Sequence, residues 1–196
     1  MGRTLRYLPL LWALTACAAS PPPRYVAERD LGGWSYRRYQ KTLDVEFPVQ
    51  DNPAVGHAAS YVRRQGPGVH VATAFVTVYE DATGLTAEVR ERLDTLSSYD
   101  VTVDRVEGEW VWRLEGAQDR WLLWVSENRV VKLGMQEGAV PEALADHYLD
   151  VYPSDLDAHG RARDGAASQG KSRREREEST EEALPMPSHL REGAPR

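Results

Sequence analysis

The sequence predicts an α+β fold: an antiparallel meander sheet with two packed helices and a disordered C-terminal tail. Three observations carry this. Short β-prone runs that alternate apolar and polar residues recur between turn signals. Two stretches place apolar residues at helical spacing. After Pro153 the chain keeps too few apolar residues to bury a core.

The elements follow in order. Trp34–Tyr39 and Leu43–Phe47 both alternate and read as half-buried strands, the second ended by Pro48, with Asp51-Asn52-Pro53 as a turn. Gln65-Gly66-Pro67-Gly68 lies between His57–Arg64 and the long run Val69–Tyr79 and predicts a hairpin. The alternative is a helix over His57–Arg64, capped from Asn52-Pro53. In Val69–Tyr79 both faces are apolar, which places that strand in the middle of a sheet.

Leu85–Leu96 is the clearest helix, with Leu85, Val89, Leu93 and Leu96 in one stripe and Thr83 or Thr86 as its cap. Strands over Tyr99–Val106, Glu109–Glu115, Arg120–Val125 and Arg129–Leu133 continue the meander, the last two joined by a tight turn at Glu127-Asn128. A final helix begins near Pro141, turns Leu144, Tyr148 and Val151 or Tyr152 inward, and stops at Pro153. The organisation is therefore a leader over 1–16, a Pro-rich linker over 17–30, one domain over 31–153 and a charged tail over 154–196. A domain of that size can bury a core without disulfides or metal. None is available within the chain in any case, because Cys17 is its only cysteine.

The 196 residues carry a net charge of -6. Over Arg24–Pro153 there are 14 Lys and Arg against 21 Asp and Glu. This argues against a nucleic-acid partner, which needs a basic stripe, and also against a polybasic membrane contact. Aromatics are skewed, with six Trp and nine Tyr but two Phe.

The first residues have the form of an export signal: Arg3 and Arg6, then a short apolar run over Tyr7–Leu14. That run is far below the ~20 residues a spanning helix needs. Leu14-Thr15-Ala16-Cys17 follows and resembles the lipobox of bacterial lipoproteins. The resemblance implies a diacylglycerol on the Cys17 sulfur, cleavage just before it, and a protein held on an envelope membrane by covalent lipid. Ala18, in place of Asp, is similar to the sorting signal for the outer rather than the inner membrane.

No catalytic residue is assigned. The sequence holds no nucleophile elbow, phosphate-binding loop or dinucleotide-binding glycine pattern. No two of His57, His70, His147, His159 and His189 have the spacing of metal ligands on one helix face or strand, so neither metal nor cofactor is expected. Asp100, Asp104, Glu107 and Glu109 read as a solvated face rather than a cation site. Trp121 and Trp124 fall on opposite faces of one strand, so that one of them is exposed or lies under a helix. They are the candidate interface for an envelope protein or a glycan, the alternative being that every Trp is core covered by the two helices.

The element order, with Leu43-Asp44-Val45-Glu46-Phe47-Pro48 near its start, resembles the Mog1/PsbP-like domains, small sheets with helices packed on them. That likeness implies a fold and no function. The sequence thus leads to a membrane-anchored lipoprotein with a non-catalytic binding or scaffolding domain. The alternative is an envelope hydrolase acting on peptidoglycan or another surface polymer. Partner identity and oligomeric state are not encoded in any recognisable motif.

Overall fold

The computed structural model describes residues 24–43 and 45–163. The leader, Cys17, Asp44 and the tail from residue 164 onward lie outside the described residues. Seven strands form one antiparallel sheet in the order β1-β2-β3-β7-β6-β5-β4. They are β1 (Ser35–Thr42), β2 (Ala54–Gln65), β3 (Gly68–Tyr79), β4 (Asp100–Val106), β5 (Glu109–Glu115), β6 (Arg120–Ser126) and β7 (Arg129–Met135). The helices are α1 (Leu85–Asp94) and α2 (Glu142–Val151).

The sheet is two meanders joined at its centre. β1-β2-β3 forms the first, and β4 to β7 the second, docked through β3 against β7. Because strand direction alternates across the sheet, β3 and β4 run parallel though they are not neighbours. Parallel strands need a crossover, and α1 is that crossover, carrying the chain from the sheet centre to its far edge.

The β2–β3 hairpin forms as the turn residues dictate. Gln65 pairs with Gly68 around Gly66-Pro67, with Gly66 at φ 58 in the first central position. A two-residue turn that opens on a positive φ takes glycine there because no Cβ is present to clash. β3 is the third of seven strands, so the doubly apolar run is interior.

One face of the sheet is closed by α2. Tyr61, Ala59, Ala72, Ala74, Val76, Val131, Leu133 and Trp124 are buried there, opposite one another in register. Leu144, Ala145, Tyr148 and Leu149 of α2 are buried with them, whereas Val151 is exposed. The opposite face buries Trp112, Leu114, Leu123, Val125 and Val130.

Four local expectations change. Leu43–Phe47 is not a strand, because β1 ends at Thr42 and Leu43 is 78% exposed. The chain instead lies across the sheet. Glu46 pairs with Lys132 of β7 at 2.7 Å, and the buried Phe47 accepts a hydrogen bond from Tyr79 at its carbonyl. The alternation there serves a loop seated on the core, not a ladder.

Second, α1 has neither Thr83 nor Thr86 as cap. Its N-cap is Gly84 at φ 74, and the Thr83 amide and hydroxyl donate to Asp81 instead. Third, the packed body starts before residue 31, since Val26 is buried.

Fourth, the body continues past Pro153. β5 and β6 pair only over Trp112–Glu115 and Arg120–Leu123. Residues 154–163 reach the strand ends beyond that pairing. The Asp155 amide donates to the Val125 carbonyl at 2.8 Å, Ser154 Oγ donates to the Trp110 carbonyl, and Leu156 is fully buried.

Gly134 of β7 is a close-approach position. The Trp121 ring covers it, and a Cβ at residue 134 would overlap that ring. Gly134→Ala is expected to lift Trp121 off the sheet and cost about 1–3 kcal/mol as an overpacking change. Urea denaturation measures the cost, and a change in Trp emission reports the displaced ring. An unchanged midpoint would show that the ring has a free alternative position.

Candidate functional site

The tyrosines explain their own excess. Tyrosine has the body of phenylalanine plus a hydroxyl that needs a partner when buried. Six of them use that hydroxyl to fasten loops or neighbours: Tyr39, Tyr61, Tyr79, Tyr99, Tyr148 and Tyr152.

Three of these bind the N-terminal stem. Tyr61 Oη donates to the Ala27 carbonyl at 2.6 Å, and the Ala27 amide donates to Tyr148 Oη at 3.1 Å. The two hydroxyls are 2.9 Å apart. Since the Tyr61 proton points at Ala27, the Tyr148 proton completes the chain to Tyr61. Tyr152 Oη donates to the Tyr25 carbonyl at 2.9 Å. Burial raises the hydroxyl pKa of all three above the usual tyrosine value, so they are neutral at any physiological pH.

Tyr25 then packs against His57 in a tilted arrangement, with ring centroids 4.5 Å apart. His57 is buried on β2, and its Nδ1 is 2.8 Å from Tyr39 Oη of β1. Burial first, and then the Lys41 charge, push the His57 pKa down. His147 on α2 is pushed down as well, by burial and then by Arg29.

The sign of the linkage follows. Both rings fold in the neutral form, so the unfolded chain takes up more protons once pH drops through its ordinary histidine value of about 6.5. Stability is therefore full above that value and falls as pH decreases toward the lowered folded pKa. Asp155 has the opposite sign: burial raises its pKa, and the stability linked to it declines as pH rises from the ordinary carboxyl range through the raised value. A urea midpoint that drops between neutral pH and about pH 5.5 is expected from the histidines. A constant midpoint would contradict burial of neutral rings.

A cavity of about 520 Å³ opens at the hairpin end of the same sheet face. Trp34, Arg63, His70, Met135, Glu137 and Glu142 line it, with the first turn of α2 as one wall. Arg63 and His70 face each other across the β2–β3 ladder. Its volume is that of a small-ligand site.

The sequence-derived candidates divide. Trp124 is fully buried, with its indole N–H donating to the Tyr152 carbonyl, and so it is corrected from interface to core. Trp121 is half-buried between Phe75 and Lys132, with Lys132 Nζ 4.0 Å from its ring centroid and its N–H donating to Asp119. Part of its surface remains open.

The acidic strand residues do not converge. Arg113 donates to Asp104 through Nε at 2.9 Å, and this hydrogen bonding holds the Asp104 carboxyl below its usual range. Glu109 pairs with Arg163 at 3.0 Å. Among the described residues, no three of His, Cys, Asp and Glu are grouped to hold a metal ion. No described helix is long and apolar enough to cross a membrane.

Sequence reasoning missed the stem-binding tyrosines and the cavity. The excess of Tyr over Phe was the available signal for the first. The second is made by residues from four separate segments and has no local signature. No protein-family model, curated protein or solved structure matches the chain.

Proposed function

We propose that this chain is an envelope lipoprotein, anchored by lipid on Cys17, whose domain binds or scaffolds a partner rather than catalysing a reaction. One observation carries the reading: a short charged and apolar leader ends on the chain's only cysteine, in the sequence Leu14-Thr15-Ala16-Cys17. The fold is consistent with that arrangement. Seven residues separate Cys17 from Tyr25, and from Tyr25 the stem is tied into the core by Tyr61, Tyr148 and Tyr152. Pull on the anchor is thus delivered to the body of the domain and not to a loose end.

Two or three acyl chains hold a protein on a bilayer stably, since each buried methylene contributes about 0.8 kcal/mol. Cys17→Ala is therefore expected to move the protein from the membrane fraction to the soluble or secreted fraction while the fold is retained. A variant that stays on the membrane would contradict anchoring through this residue.

A further inference from the structure

The acidity of the domain is unevenly placed. Residues 24–70 carry seven Lys and Arg against five Asp and Glu, whereas residues 71–153 carry seven against sixteen. The first group builds β1 and β2, at one edge of the sheet, and the second includes β4 and β5 at the other. Arg37, Arg38 and Lys41 are exposed on the outermost strand. None of the three forms an ion pair among the described residues. Of the seven basic groups of the acidic half, four are paired with carboxylates: Arg113, Arg120, Arg129 and Lys132. Tyr39 and Leu43, 40% and 78% exposed, lie among the unpaired charges. An edge strand with long cationic side chains and a β-bulge avoids pairing with other strands. The same cations, flanked by an exposed tyrosine and leucine, match an anionic membrane surface.

The stem leaves the domain at this edge, because Tyr25 packs against His57, which Tyr39 of β1 contacts. The seven residues back to Cys17 include three prolines. Fully extended, that tether reaches roughly 25 Å. The seven-stranded sheet is about 29 Å across, at about 4.8 Å per strand spacing. The tether thus favours the β1 edge over the β4 edge at the bilayer.

We propose that the β1 edge, through Arg37, Arg38 and Lys41, docks on anionic phospholipid headgroups and turns the acidic β4–β5 edge away from the membrane. The proposal rests on the lipid anchor at Cys17. The average charge of the domain argues against such a contact, but its distribution favours one.

The test uses the full mature chain in phosphatidylcholine vesicles with and without phosphatidylglycerol. A lipidated Cys17 has no free thiol, so Gln40→Cys on β1 or Thr102→Cys on β4 accepts a single dye, read against a headgroup-bound quencher. Quenching several-fold stronger at residue 40 than at 102 is expected in the anionic vesicles. The difference should vanish in about 1 M salt, where the screening length is about 3 Å, and in the R37E/R38E/K41E variant, whose fold is checked by circular dichroism. Equal quenching of the two sites on an acylated chain overturns the docking alone. So does an unchanged difference in pure phosphatidylcholine or in the triple variant. A chain without acyl mass overturns the anchor and the docking together.

Discussion

Trp124→Ala is expected to destabilise the domain by about 3–5 kcal/mol, the range for deleting a buried aromatic side chain. Trp124 is on β6, fully buried under α2, facing Val131 across the β6–β7 ladder. Its indole N–H holds the carbonyl of Tyr152 just past the end of α2. The substitution removes packing and releases that helix end together. Tyr152 also fixes the stem at Tyr25, so the loss should extend to the N-terminal residues. Denaturant titration gives the magnitude, and amide exchange at residues 25–27 gives the extent. A loss below about 1 kcal/mol would show that the site collapses around the gap, as cavity costs depend on how far neighbours relax.

Ending the chain at Pro153 is the second large effect. Truncation there removes Leu156, a fully buried side chain whose replacement by Ala alone is worth about 2–5 kcal/mol. It also uncovers the strand ends of β5 and β6, leaving the Val125 and Trp110 carbonyls without the Asp155 amide and the Ser154 hydroxyl. Water replaces those partners at the uncovered ends, so each lost hydrogen bond adds about 0.5–1.5 kcal/mol. The truncated chain is expected to melt well below the full chain and to show lost protection in β5 and β6 first. Full retention of stability would mean that residues 154–163 rest on a sheet complete without them.

What was legible in the sequence was periodic. Leu85, Val89 and Leu93 recur at helical spacing and are all buried, and Leu144 and Tyr148 do the same. Gly66-Pro67 marked the hairpin because a positive φ at a turn is nearly a glycine property. What was illegible depended on partners distant in sequence. Leu43–Phe47 alternates as a strand does, yet its partners are Lys132 and Tyr79, across the sheet face rather than along an edge. Leu156 sits in a polar stretch that reads as tail, and only the splay between β5 and β6 gives it a place. Trp121 and Trp124 alternate on one strand, and which of them is accessible was decided by α2 on one side and Gly134 on the other. The stem was legible as a linker by composition. Its capture by three tyrosines joins residues more than thirty positions apart.

The account turns on Cys17, and the most direct measurement is the intact mass of the mature chain isolated from bacterial membranes, with its N-terminal peptide fragmented. The predicted result is a chain beginning at Cys17, heavier than its amino acids by a diacylglyceryl thioether, with or without a further acyl group on the new amine. A chain that begins elsewhere, or that carries Cys17 as a free thiol, would contradict the anchor and the membrane-facing geometry built on it.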